Sequence, residues 1–323
     1  MSTSRYTIGI ERGFGLGDLK LFRIQKDNVT EIESESVTLE KSLQQLIDRH
    51  LPRFFGVRFL ASEHATGRTH GGRIDTLGID ENGSPVIVEY KRATNENVIN
   101  QGLFYLDWLM DHRAEFEMLV MEKLGPKSVE EVDWDSPRLM CIAGGFTRYD
   151  VHAVAQIDRN IELIRYARYS DDLVLFEMVN SPSTPPEKPK VSVEKDKAPE
   201  KEKSSENTAL TKLDKADPEF RDLYHALSAF VTSLGDDVTM KERRFYVAYR
   251  RLKNFCCVEI HVPSKELLVF LKVDPTTVEL KPGFARDVRD VGHFGTGDLE
   301  LRLRTKTDLE AAKPLMVRSY EAS

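Results

Sequence analysis

Cysteine is scarce in this chain, with three residues in 323, at positions 141, 256 and 257. None is spaced as a ligand pair, and adjacent Cys256 and Cys257 in a strand-like run would face opposite ways. That excludes a zinc ribbon and a disulfide-stapled scaffold, so buried, reduced thiols are expected. Long apolar runs are missing too. No stretch approaches the roughly 18 apolar residues of a membrane span. The opening MSTSRYTIGIERGFGLG has no apolar core of a signal peptide. A cytoplasmic protein with no membrane partner is the expectation. Excess positive charge is absent: 46 Lys and Arg against 53 Asp and Glu give a net charge of -7. This excludes a wholesale polyanion binder but leaves room for a local patch, and Arg68, His70, Arg73, Lys91 and Arg92 lie close together in sequence. GFGLG at 13–17 is followed by no Lys-Ser/Thr and is no phosphate loop. No Ser-His-Asp or Cys-His arrangement can be assembled.

What is present falls into two parts. Residues 181–209 are rich in Pro, Lys, Glu and Ser and lack aromatics, which predicts a disordered linker. Before it, residues 1–36 read as an N-terminal β-hairpin extension turning at Asp27-Asn28. Residues 37–180 alternate helices with apolar strands, implying an α/β domain: a mixed sheet with flanking helices. Its first helix has Leu39, Leu43, Leu46 and Ile47 as an apolar stripe, and a later helical stretch bends near His112. After the linker, residues 210–323 read as a small α+β module, with Phe220, Leu223, Leu227 and Phe230 striping its first long helix.

The chemistry concentrates in GGRIDTLGIDENGSPVIVEYKR, residues 71–92. Side chains alternate along a strand, so Glu89 and Lys91 share one side, opposite Val86, Val88 and Tyr90. Asp75 lies on the preceding strand across a short turn. Two carboxylates and a backbone carbonyl make a hard-oxygen site suited to Mg²⁺ or Mn²⁺. A neighbouring lysine can orient a water and offset charge on a phosphorane-like transition state. The following helix carries Gln101 and Tyr105 at i and i+4 on one face, with Asn97 a turn earlier. One structural condition attaches. A strict two-residue Asn82-Gly83 turn would pair Thr76 with Glu89 and turn Asp75 to the wrong face, so the hairpin needs an odd-length loop or a bulge.

RIDTLGID, VIVEYKR and QGLFYLDWL together resemble the PD-(D/E)xK nuclease superfamily, specifically the C-terminal catalytic domain of NucS-type endonucleases. The resemblance covers roughly residues 37–180 and implies a restriction-endonuclease-like fold that hydrolyses phosphodiester bonds of DNA using Mg²⁺ (or Mn²⁺). Carried over by position, it implies Asp75 and Glu89 as metal ligands, with Glu40 as a further acidic member. Lys91 would be the catalytic lysine, and Gln101 would support the site. Arg73, Arg92, Tyr105 and Arg68 would approach the nucleic acid. A homodimer is open, since such nucleases often act in pairs. The N-terminal DNA-binding domain of NucS proteins has no counterpart here, so the substrate form does not carry over. Residues 210–323 resemble an uncharacterised module fused to such domains.

Two other readings stand beside the nuclease. One is a non-catalytic nucleic-acid-binding protein built on the same fold. The other is a sensor whose C-terminal module takes a protein or ligand partner. In that module, KERRFYVAYRRLKNF interleaves basic and aromatic residues, which suits phosphates and bases or a plain amphipathic element. Gly292, His293, Gly295 and Gly297 form either an anion pocket or a tight turn.

Overall fold

The computed structural model describes residues 19–35, 41–67, 71–91, 98–170, 172–180 and 208–323, without the side chains of Ser34, Glu35, Ser42, Leu43 and Lys91. Glu40, Arg68, His70, Arg92, Asn97 and the expected linker up to residue 207 lie outside these residues.

Strands β1 (Leu21–Gln25) and β2 (Asn28–Ile32) form the N-terminal hairpin. Gln25 pairs with Asn28, so the turn sits on Lys26-Asp27, one residue earlier than expected. Lys26 takes the left-handed φ of 56° that a two-residue hairpin loop requires. Strand β3 (Ser34–Glu35) then joins the main sheet against Arg168 and Tyr169.

Helix α1 (Lys41–Phe55) buries Ile47, Leu51 and Phe55, spaced four apart. The expected stripe is corrected at Leu46, which is 39% exposed because it lies one residue off this row. His50, two residues before Pro52, leaves helical geometry, and the proline ring explains the kink.

The main sheet adds β4 (Val57–Ala65), β5 (Arg73–Asp80), β6 (Pro85–Lys91), β7 (Arg138–Ala143) and β8 (Asn160–Tyr169), in the order β3-β8-β7-β6-β5-β4. A final strand, β9 (Leu173–Met178), pairs with β8. The β4-β5-β6 pairs are antiparallel, whereas β6-β7 and β7-β8 are parallel. This is the mixed sheet read from the sequence. The apolar runs of β6 and β7 sit at its centre, covered on both faces, as parallel strands require. On one face, α1 packs over Val86, Val88, Met140 and Ile142. On the other, α2 (Val98–Asp111) and α3 (Arg113–Leu124) bring Trp108, Leu109 and Phe116 onto Ile87, Leu139 and Cys141. These two helices divide at His112, where the bend was expected. Two further helices, α4 (Pro126–Glu130) and α5 (Arg148–Ala155), precede and follow β7. Among the described residues, no helix is long and apolar enough to cross a membrane.

The C-terminal module begins at Thr208, which caps α6 (Ala209–Leu213). Helix α7 (Pro218–Thr232) and the last helix, α8 (Lys306–Glu321), cover one face of a six-stranded antiparallel sheet. Its strands are β10 (Thr239–Glu242), β11 (Tyr246–Arg250), β12 (Asn254–His261), β13 (Glu266–Leu271), β14 (Ala285–Asp287) and β15 (Leu299–Leu303). The basic-aromatic run therefore forms the β10-β11 hairpin. Cys256 enters the helix-side core while Cys257 packs with Tyr246, Ala248 and Phe270 on the other face, as alternation requires.

The two parts meet at the turn between β5 and β6. Asn82 Nδ2 donates to Asn254 Oδ1 at 3.1 Å, and Asn254 Nδ2 donates back to Asn82 Oδ1 at 2.8 Å. The Tyr246 hydroxyl donates to that same oxygen at 3.1 Å. Glu81 accepts the Asn254 N–H at 2.9 Å and pairs with Lys272, while Asp133 pairs with Arg243. Behind this contact lies a buried ion cluster. Arg138 reaches Asp80 at 2.9 Å and Glu162 at 2.7 Å, and Arg250 of the module stands 3.4 Å from Glu162. Burial alone would raise both carboxyls, but the two guanidiniums outweigh it and hold them below their ordinary range. A cavity of about 620 Å³ opens beside the cluster, between Leu106, Arg138, Ile157, Lys241 and Arg250.

Candidate active site

The β5-β6 turn determines which side chains face each other. Asp80 N–H donates to Ser84 O, and Gly83 N–H donates to Asp80 O, enclosing the three-residue loop Glu81-Asn82-Gly83. Gly83 sits at φ 78°, and a Cβ there would fall 2.1 Å from the Glu131 carbonyl oxygen. The loop is therefore odd in length, the condition that the paired carboxylates impose. Ile79 pairs with Pro85 and Thr76 with Val88, so the next position along sets Asp75 opposite Glu89.

Beyond Thr76 and Val88 the two strands are joined through side chains. Asp75 N–H donates to Glu89 Oε1 at 3.1 Å, and Tyr90 N–H donates to Asp75 Oδ2 at 2.9 Å. Glu89 is 1% exposed while Asp75 is partly exposed, so the pair has a buried and an open member. Burial, and then the neighbouring Asp75 charge, push the Glu89 carboxyl up to about 9. Hard oxygen donors held together against their own repulsion fit a divalent cation. Among the described residues, no group of three or more His, Cys, Asp or Glu is arranged around a metal position. Lys91 closes β6 at the register position opposite Ala143.

The predicted supporting residues meet as well. Gln101 Nε2 donates to the Tyr105 hydroxyl at 3.2 Å, and that hydroxyl accepts the Arg73 N–H at 3.1 Å. A Cβ on Gly72 would lie 2.6 Å from the Tyr105 ring. Tyr105 is 5% exposed. Its hydroxyl thus fixes the start of β5, and Gly72, Arg73 and Gln101 meet at this one ring. Arg73 is exposed and pairs with Glu63 at 3.2 Å. Glu40, Arg68 and Arg92 fall outside the described residues.

Two acids escaped the sequence reading. Asp48 of α1 accepts from the hydroxyls of Thr76 at 2.6 Å, Ser62 at 3.1 Å and Tyr90 at 3.1 Å. Burial raises its carboxyl despite those three bonds. Gln44, one turn before, approaches the Asp75 carbonyl oxygen at 3.5 Å. The available signal was the spacing: Gln44 and Asp48 stand i, i+4 on the buried row of an amphipathic helix. Glu63 adds charge that raises Glu89 further, from a φ of 53° that no sequence pattern announces. His64 pairs with Glu115 at 3.1 Å and packs against Trp108.

Comparison with known proteins adds the following. The chain is 27% identical over 315 residues to a Haemophilus influenzae protein described as "Uncharacterized protein", covering 94% of this chain and 100% of that one. Among solved structures, a repair endonuclease from Pyrococcus abyssi is similar at a TM-score of 0.27 and 19% identity, covering 42% of this chain and 51% of that one. The chain thus spans about half the length of that structure. An EndoMS-dsDNA2 complex follows at a TM-score of 0.24 and 15% identity, covering 51% and 71%. Likeness at this level carries no weight for function. Residues 210–323 match the family described as "Domain of unknown function (DUF5655)", which leaves the first 209 residues to be read from their own geometry.

Proposed function

We propose that this protein is a divalent-metal-dependent nuclease that hydrolyses phosphodiester bonds, with DNA as its substrate. The observation that carries this reading is the Asp75–Glu89 pair: opposite in register, joined by the Asp75 N–H to Glu89 bond, with Asp75 held in turn by the Tyr90 N–H, and with one carboxyl raised to about 9. Such a pair is poorly balanced without a cation. Asp75 and Glu89 would hold Mg²⁺ or Mn²⁺, which supplies charge neutralisation and Lewis acidity when bound.

The chain's own groups take the remaining tasks. Lys91, two residues beyond Glu89, is assigned the cation that orients the attacking water and offsets charge gathering on the phosphate. The buried Tyr105 hydroxyl, held by Gln101, keeps β5 seated so that Asp75 stays opposite Glu89. Asp48 braces the reverse side of the same strands through Thr76 and Tyr90.

The test is cleavage of single-stranded, duplex, mismatched and branched DNA, and of RNA, with Mg²⁺ or Mn²⁺. Glu89→Gln and Lys91→Ala are expected to lower kcat at least about a hundredfold while the fold persists. Binding without cleavage of any substrate would replace the nuclease with a nucleic-acid-holding protein.

A further inference from the structure

Exposed aromatic pairs are rare on a surface that nothing covers, because large apolar area in water favours a partner. The C-terminal module has such a pair. Phe245, at the turn between β10 and β11, is 40% exposed, and Phe294, in the loop between β14 and β15, is 49% exposed. Their rings stack with centroids 4.3 Å apart and planes 19° from parallel. Val291, 43% exposed, lies in the same loop.

The loop is built to present Phe294 outward. At Gly295, φ is +81° and a Cβ would sit 2.6 Å from Cys257 Cβ. At Gly297 a Cβ would meet the Leu271 backbone nitrogen at 2.6 Å. Only glycine lets the backbone lie this flat on the sheet. His293 stacks on Phe270 at 4.2 Å, and the Phe294 N–H is held by buried Glu259 at 2.9 Å. Gly295, Gly297 and His293 thus form a tight packed turn that leaves the Phe294 side chain outside.

Two cations flank the rings. Arg244 Cζ lies 5.0 Å from the Phe245 centroid and Lys212 Nζ 5.5 Å from it. Among the described residues neither forms an ion pair, whereas Arg243, Arg250, Arg251, Arg286 and Arg304 of the same module all meet carboxylates. Unpaired cations beside stacked rings match a chain of phosphates carrying flat bases.

We infer that Phe245 and Phe294, with Arg244 and Lys212, form a stacking platform for unpaired bases of a nucleic-acid strand. This rests on the reading of the protein as a nuclease and supplies the module's share of substrate binding. Thr296, two residues beyond Phe294, accepts from Asn254 at 3.4 Å, and Asn254 grips the β5-β6 turn, which ties the platform to the far end of the hairpin, about 17 Å along the strands from Asp75 and Glu89.

The experiment uses the full chain and a fluorescein-labelled oligothymidylate, with binding read by anisotropy in EDTA so that no cleavage intervenes. The double variant Phe245→Ala/Phe294→Ala, and separately Arg244→Ala, are expected to bind about tenfold more weakly or worse. Phe245→Tyr/Phe294→Tyr should retain affinity, while Phe245→Leu/Phe294→Leu should lose it, which separates stacking from apolar area and controls for folding. Affinity in the alanine variant within twofold of wild type overturns the inference. A dimer that the alanine variant converts to monomers in sedimentation, with oligonucleotide affinity unchanged, also overturns it and assigns the patch to self-association. If wild type binds through the platform but cleaves nothing, the platform stands and the nuclease reading falls. If it cleaves DNA with the platform dispensable, the reverse holds.

Discussion

Asp75 and Glu89 hold each other across β5 and β6: the backbone N–H of one donates to the carboxylate of the other, and the residue beside Glu89 returns a bond to Asp75. The Glu89 carboxyl, raised to about 9 from an ordinary 4.5, takes up a proton more readily folded than unfolded. Its contribution is fully present below the unfolded value and is lost as pH rises through about 9. In EDTA the wild-type Tm should therefore fall between pH 5 and 9, and Glu89→Gln should flatten that decline. Adding Mn²⁺ at pH 8 should raise the wild-type Tm and leave the variant unmoved. Thermal unfolding across pH checks all three.

The Tyr105 hydroxyl gives a second test. Tyr105→Phe leaves the Arg73 N–H without its acceptor, a loss of about 0.5–1.5 kcal/mol for a partly buried hydrogen bond. Gly72→Ala should be worse, since its Cβ meets the Tyr105 ring at 2.6 Å. Denaturant midpoints would rank the two, and both should reduce cleavage with oligonucleotide affinity retained.

Arg138 gives the third. Arg138→Met leaves Asp80 and Glu162 buried with Arg250 alone, and should destabilise by about 3–5 kcal/mol. Because both carboxyls are held below ordinary values of 3.8 and 4.5, their stabilisation is present above those values and is lost as pH falls through the lowered ones. Acid unfolding of wild type should thus be steep, and shallower in Arg138→Met.

How far the sequence foretold this depends on the range of the interactions. The paired strands, the break at His112 and the opposite facing of Cys256 and Cys257 follow from local periodicity, which a single chain displays. Facing of Asp75 and Glu89 could be posed only as a condition, because a one-residue change in loop length inverts it. Asp48 stayed hidden because its partners Ser62, Thr76 and Tyr90 come from three strands brought together by folding. The β10-β11 hairpin stayed hidden because basic residues interrupt its apolar alternation, and several of them turn out to be ion-paired across the junction.

The junction supplies a fourth test. Asn254→Ala combined with Lys272→Ala removes the side-chain amide partner of Asn82 and the cation paired with Glu81, leaving the Tyr246 hydroxyl and the residue 254 N–H in place. Wild type should melt in one calorimetric transition, and the double variant in two. A single transition in both would mean that the ion cluster suffices to unite the halves.

The three-residue turn carries this junction as well as the register, and grafting inherits both duties. A chimera that receives residues 208–323 from another source needs an asparagine where Asn254 stands, a phenol at Tyr246 and a cation at Lys272. Otherwise the recipient's tip at Glu81-Asn82-Gly83 must be recoded along with it. Donor and recipient are interchangeable only as matched sets.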